Sequence, residues 1–289
     1  MNWTETLAEL IRRNTSDLPG DVEVALREAL KIEAPQSQAA VMLQALIDNT
    51  VLARRRHTPL CQDTGTLTFF WRVPPGTDTC ALERSAREAV KLATLNGWLR
   101  RNTIDTLSGQ SIDTNVAERC PSCHFEQDNR ADEEVWLVQK GGGSENMSRQ
   151  YSLPDKELGA GRDLEGVRRC VLRAVWAAQG FGCAPGILGV CIGSDRAEGF
   201  LTAKRQLLRP LGDTAADPAL AELERRLLDE ANRLGIGPMG LGGKTTLLGV
   251  KIAALPRLPA SFFVTVAYMC WACRRRGVRV TGDTIEWLG

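Results

Sequence analysis

The sequence predicts the α/β class, as a single mixed α/β domain over residues 1–289 with a helical N-terminal portion reaching to about residue 57. Three observations lead there. Apolar residues recur at helical spacing through the first fifty-odd positions. From residue 163 onward, helical patterns alternate with short apolar runs, as in an α/β crossover. No internal repeat or low-complexity linker divides the chain, and 289 residues are ample for one large core.

The elements follow in order. Leu7, Leu10 and Ile11 form a first stripe, Val24, Leu26, Leu30 and Ile32 a second, and Val41, Leu43, Leu46 and Ile47 a third. Gly20-Asp21 and Pro35-Gln36-Ser37 supply breaks and caps between them. An apolar run at 67–73 reads as a strand and residues 81–99 as a helix. A polar, cysteine-containing stretch from 105 to 130 leads to a strand at 135–138, which runs into a glycine-rich turn at 141–146. Helix 163–179, strand 187–192 and helix 196–208 make the crossover. A charged helix at 218–234 and strands at 246–254 and 261–268 precede an arginine-rich C-terminal turn.

Composition narrows the function. At 43% hydrophobic, 25% charged and a formal net charge of +1, the chain gives no reason to expect a nucleic acid or an anionic membrane as partner. The triplets Arg54-Arg55-Arg56 and Arg274-Arg275-Arg276 read as solvated element ends. No apolar run approaches the roughly 20 residues of a membrane span. The N-terminus lacks the basic-then-apolar layout of a signal peptide, so the cytoplasm is expected. Nine cysteines, an odd number in such a chain, argue against a disulfide framework and toward ligands or core thiols. Cys80 and Cys170, inside helical patterns, are expected in the core.

The most informative segment is Pro59-Leu60-Cys61-Gln62-Asp63-Thr64-Gly65, which sets a thiol, an amide, a carboxylate and a hydroxyl on one glycine-ended turn before a strand. The bland alternative is a turn whose Asp and Gly satisfy local geometry. Three more turns carry glycine or cysteine: Gly141 to Asn146, Gly182-Cys183-Ala184-Pro185, and Gly237 to Thr246. The last resembles a phosphate-binding loop but puts Pro238 where that motif needs glycine, and it follows a helix. Its glycines suit close backbone packing or N–H groups presented to an anion. Cys120/Cys123 and Cys270/Cys273 raise zinc as a rival, but the pairs lie far apart and His124 follows Cys123 directly. With His57 and His124 the only histidines and no Gly-x-Ser-x-Gly elbow, a general base from this chain is more naturally a carboxylate.

Taken together, these motifs resemble the iron–sulfur hydro-lyases, class I fumarase and L-tartrate dehydratase, in their α-subunit or N-terminal region. The carriers are Pro59 to Gly65, Lys140-Gly141-Gly142-Gly143-Ser144-Glu145-Asn146, Gly182 to Pro185, Gly237 to Thr246 and Cys270-Trp271-Ala272, in the family's order over nearly the whole chain.

The resemblance implies that Cys61, Cys183 and Cys270 hold a [4Fe–4S] cluster by three thiolates, leaving one iron open. Clusters usually take four cysteines, and an open iron is a Lewis acid for a substrate hydroxyl. Cys191 and Cys273 compete as ligands; Cys191 lies inside a strand run, and the family pattern favours Cys270. The resemblance further gives Gln62 and Asp63 to substrate contact and orientation of the base. Arg100, with Arg101 as neighbour, would grip a carboxylate, and the backbone of Gly141, Gly142 and Gly143 would line the far end. The expected activity is reversible hydration of a small dicarboxylate of the fumarate/malate type. Tartrate or a methylated dicarboxylate is the alternative substrate, and a non-catalytic iron–sulfur or zinc protein the alternative class. Leu258 departs from the family, which has histidine there, and Gly193-Ser194 replaces Gly-Gly. With the chain ending at Gly289, a separate β-subunit is expected to complete a hetero-oligomer.

Overall fold

The structure, a computed structural model, describes residues 2–289. Three helices open the chain, α1 (Trp3–Ser16), α2 (Gly20–Ile32) and α3 (Gln38–Arg56). There follow β1 (Thr66–Val73), α4 (Thr79–Leu95), β2 (Ser122–Gln127), β3 (Glu133–Lys140), α5 (Gly142–Met147) and β4 (Arg149–Ser152). The remainder comprises α6 (Leu164–Ala178), β5 (Gly186–Gly193), α7 (Arg196–Gln206), α8 (Pro218–Arg233), β6 (Leu247–Leu255), β7 (Phe263–Met269), β8 (Arg274–Thr281) and β9 (Thr284–Leu288). The class is mixed α/β, and the N-terminal helices end at Arg56. The chain forms two compact units, one from Met1–Gly20, Asp48–Gly142 and Ala272–Gly289, the other from Asp21–Ile47 and Gly143–Trp271.

The first unit is built on a five-stranded sheet in the order β2-β1-β3-β8-β9. β1 and β2 run parallel, whereas β3 is antiparallel to both β1 and β8. Helices α1 and α4 pack together, and α1 also lies against β3 and β8. Leu7, Leu10 and Ile11 of α1 share one buried cluster with Phe69 and Trp71 of β1, Ala86 and Val90 of α4, and Leu137 and Val278. Each such apolar side chain contributes about 1.5–3 kcal/mol by leaving water. Asn2 caps α1 by accepting from the amides of Thr4 and Glu5, and Asp78 caps α4 through Ala81.

The second unit has a four-stranded sheet ordered β4-β7-β5-β6. The helix, strand and helix expected at 163–208 are α6, β5 and α7, and the parallel crossover itself runs from β5 through α7 and α8 to β6. β7 is antiparallel to β5. Asp163, Asp195 and Asp217 cap α6, α7 and α8. Inside, the buried Glu224 accepts from the amides of Ile252 at 2.7 Å and Ala215 at 3.0 Å and from Arg209 at 2.7 Å. A buried charge is tolerable only when so fully engaged.

Several expectations are corrected. The arginine-rich C-terminal turn is the strand pair β8 and β9, and Arg274 and Arg275 are buried rather than solvated. The polar stretch 105–130 contains β2, and the 141–146 turn includes the first residues of α5. Val24, Ile32 and Val41 are exposed; the buried stripe of α2 is Val22, Leu26 and Ala29, spaced by four and three. Cys80 is exposed, whereas Cys170 is buried as expected. Arg54 to Arg56 do form an exposed helix end.

Candidate active site and thiol positions

In the first unit a cleft of about 650 Å³ is lined by Gln62, Asp63, Arg100, Asn102, Cys120 and Gly142 among others. The structure thus brings together Gln62, Asp63, Arg100 and Gly142 from three separate segments. Asp63 organises it. One carboxylate oxygen accepts from the Gly65 amide at 3.0 Å, the other from the Gly142 amide at 2.7 Å. Gly141 is buried against the same carboxylate, and a Cβ there would stand 2.8 Å from Asp63 Oδ2. Arg100 is exposed to the cleft and donates from Nη1 to the Gln62 carbonyl at 3.2 Å. Arg101 does not line the cleft and reaches Asp113 at 3.5 Å.

The turn rests on buried polar groups that sequence reasoning missed. Arg274, 1% exposed, donates from Nη1 to the Asp63 carbonyl at 2.9 Å. Gln139 donates to the Thr64 carbonyl at 3.2 Å and is itself held by Asn14 and Thr15 of α1. Leu60 donates to the Thr15 carbonyl at 3.0 Å. Asn115 donates to the Arg100 carbonyl at 2.7 Å and accepts from the amides of Asn102 and Thr103, fixing the opposite wall. The available signal was the polar pair Gln139-Lys140 at the end of an apolar strand, where exposed positions would be unremarkable.

Gly65 is the tightest point of the turn. Its φ is +80°, and a Cβ would stand 2.8 Å from the carbonyl carbon of Lys140. Gly65→Ala meets both left-handed strain and a backbone clash, so we expect it to destabilise the protein by about 2–4 kcal/mol. Urea unfolding checks this; a loss below about 0.5 kcal/mol, within the scatter of surface substitutions, would contradict the geometry.

The remaining predicted positions fall as follows. Cys61 is half-buried at the head of the turn, and Gly143 is exposed. In the second unit, Cys183 ends a short 3-10 turn with φ 51° and is half-buried. Its carbonyl accepts from the amide of Trp271 at 3.1 Å, which ties it to the residue after Cys270. Cys270, also half-buried, follows β7, and its amide donates to the Ser144 hydroxyl at 3.2 Å. Beneath them the Tyr268 phenol is pushed up, first by burial and then by neighbouring Cys270 and Cys183. The rival thiols differ. Cys191 is fully buried within β5, where burial pushes its thiol up to about 11, and Cys273 is fully buried. Cys123 is pushed up to about 12 by burial and is no readier to act as a thiolate.

Among the described residues no group of three or more His, Cys, Asp or Glu side chains is gathered so as to hold a metal ion. The donor chemistry nonetheless fits an iron–sulfur group. Cys183 and Cys270 sit on turns joined by a backbone hydrogen bond, and with Cys61 they keep partly exposed thiols, whereas Cys191 and Cys273 do not.

The loop that resembles a phosphate site is already filled. Glu33, 7% exposed at the end of α2, places its carboxylate against the amides of Lys244, at 2.8 and 3.0 Å, and Thr245, at 3.0 Å. The amides presented to an anion are those of Lys244 and Thr245 rather than of the glycines, and the anion is a side chain of the same chain.

The comparisons with known proteins agree on a family. The fumarate hydratase (fumerase) family profile matches residues 4–279. A putative fumarate hydratase class I of Geobacillus stearothermophilus is 44% identical over 98% of this chain, which spans 56% of that relative's length. A putative L(+)-tartrate dehydratase subunit alpha of Methanocaldococcus jannaschii is 35% identical over 98% of this chain and 99% of the relative. The L(+)-tartrate dehydratase subunit alpha of Escherichia coli strain K12 is 30% identical, covering 97% of this chain and 91% of the relative. With a profile match over nearly its whole length, the chain belongs to the fumarate hydratase (fumerase) family.

Proposed function

We propose that residues 1–289 act as the α-subunit domain of a hydro-lyase that reversibly adds water to a small dicarboxylate of the fumarate/malate type. The observation that carries the reading is the cleft in which Arg100, Gln62, Asp63 and the Gly142 amide converge. Arg100 offers a fork matched to a substrate carboxylate, steadied by the Gln62 carbonyl. Gln62 supplies an amide that both donates and accepts, suited to a second carboxylate or a hydroxyl. Asp63 is the only carboxylate in the lining among the described residues, and both its oxygens are engaged by amides. Its role is to hold the turn and the Gly141–Gly142 backbone and to orient the base. The proton leaving carbon is then taken by a group outside this lining.

Cys61, Cys183 and Cys270 would hold a [4Fe–4S] cluster. When bound, that cluster supplies an iron without a protein thiolate, a Lewis acid that makes hydroxide a tolerable leaving group. A second, β-type subunit would bring the base and exclude water from the cleft. Two relatives named as alpha subunits and matched almost end to end support this, as does the Geobacillus relative, whose chain extends well beyond the matched part. Greater identity to the fumarate hydratase relative favours fumarate over tartrate. Leu258, 75% exposed where the resembling motif has histidine, keeps tartrate as the second reading.

The test is to assay the cluster-loaded chain on fumarate, malate and tartrate, with and without the candidate β-subunit. Hydration by the pair alone is expected; full activity from the isolated chain overturns the two-subunit reading, and no activity from the pair overturns the catalytic one. Within the pair, Arg100→Lys should lower kcat/KM by about 1–3 kcal/mol, because a point charge does not replace the fork. Iron content should be unchanged. An unaltered kcat/KM would remove Arg100 from substrate binding.

A further inference from the structure

A second basic hollow lies in the first unit, with none of the cleft's lining residues. It encloses about 240 Å³ between the end of α1, the end of α3 and β8, and Arg12, Arg13, Asp17, Arg54, His57 and Arg276 line it with Ser16. The lining thus holds four arginines and one histidine against one carboxylate, Asp17, with Glu9 paired to two of the arginines from behind.

The donors are held in place. Glu9 takes Arg12 through two bonds of 2.7 Å and Arg13 Nε at 2.7 Å. Asp17 bridges Arg54 Nε at 2.7 Å and Arg276 Nη2 at 3.0 Å. Arg276 also donates to the Leu18 carbonyl and to a main-chain oxygen of Gly289, both at 2.7 Å. The Arg13 guanidinium lies over the Trp287 ring at 4.0 Å, and among the described residues its two terminal nitrogens have no hydrogen-bond partner. They form a fork fixed by Glu9 and Trp287 with its donors open. His57, exposed at φ 53°, stands with Nδ1 2.8 Å from Arg12 Nη1. Arginine can only donate, so Nδ1 accepts and the ring proton sits on Nε2, a further donor.

The electrostatics agree with the geometry. Burial opposes the charge on Arg276, Arg13, Arg54 and Arg275 each push the same way, and Asp17 alone among its neighbours favours it. An added anion would relieve that repulsion. The hollow takes a tetrahedral oxyanion with a few waters of ~30 Å³ each.

We propose that this hollow is a binding site for a phosphate-type oxyanion, held chiefly by the open fork of Arg13 and the Nε2–H of His57, and separate from the substrate cleft. The oxyanion is either free inorganic phosphate or the phosphoryl group of a small phosphomonoester.

Titration calorimetry on the full chain at fixed ionic strength tests it with three probes: inorganic phosphate, glycerol 2-phosphate and succinate, each against chloride. Saturable phosphate binding supports the proposal. Glycerol 2-phosphate binding as tightly or tighter identifies a phosphomonoester site, and weaker binding a site for the free ion. Arg13→Gln should weaken phosphate binding at least tenfold while the melting temperature stays near that of the parent chain. Should that variant fold poorly, His57→Gln, at an exposed loop position, should weaken binding severalfold. No saturable phosphate signal above chloride, succinate binding without phosphate binding, or parent-like affinity in the folded variants overturns the proposal. None of these readouts depends on hydratase activity.

Discussion

Anaerobic reconstitution with iron and sulfide is expected to give about four irons and matching sulfide per chain, and Cys61→Ser, Cys183→Ser and Cys270→Ser are each expected to lose that load. The loss should be near total, because a serine hydroxyl at neutral pH does not replace a thiolate ligand. The contrast with the other cysteines makes the experiment decisive. Cys80→Ser alters an exposed helix position, and Cys120→Ser a thiol that donates to the Asn115 carbonyl at 3.5 Å. Both should keep the full load. Cys191→Ser should keep it while destabilising the second unit by about 1–3 kcal/mol, through a hydroxyl placed in an apolar strand. Iron and sulfide analysis with visible absorbance reads the result. Retention of the full load in Cys183→Ser, or zinc without sulfide, would refute the ligand assignment.

Asp63→Asn should lower kcat/KM about 10²-fold or more, as a misplacement of roughly 1 Å in a positioning element does. The parent carboxylate accepts from two backbone amides, those of Gly65 and Gly142. An asparagine side chain keeps one acceptor oxygen and turns its NH2 toward the other amide. Two donors then face each other, at a cost of about 1–3 kcal/mol. The Gly141–Gly142 backbone must shift to relieve it, and the far wall of the cleft shifts with it. Iron content should be unaffected, which separates this result from loss of the cluster. Activity within twofold of the parent would show that the clamp does not set the cleft.

Much of this was legible in the chain. The three N-terminal helices, β1, α4, β3 and the run of α6, β5, α7, α8, β6 and β7 followed from periodicity, whereas Arg100 was named only by the family resemblance and β2, β4, β8 and β9 were not expected. What escaped was polar and buried. Arg274 looks like a solvated residue because its neighbours are arginines, yet β8 lies between β3 and β9 and carries it inside. Periodicity records apolar faces and is silent on a guanidinium spent on a backbone carbonyl. Val24 and Ile32 misled for the opposite reason, being apolar side chains that α2 leaves exposed. Glu33 was invisible because its partners lie 211 and 212 residues along the chain, beyond any local pattern.

The interleaving of the two units sets an order of assembly. On a ribosome, the segments that make up the second unit are complete once Trp271 has been made. The five-stranded sheet is not, since its interior strand β8 and the edge strand β9 come from residues 274–288. Until then β3 presents an unpaired edge, the kind of surface that invites association between nascent chains. The register between β3 and β8, with Glu133 opposite Val280, closes a loop of well over a hundred residues. Loop entropy grows slowly with length, but contacts of such separation form late. The Cys61–Gly65 turn, which draws its Arg274 bond from β8, therefore takes its final shape among the last events of folding.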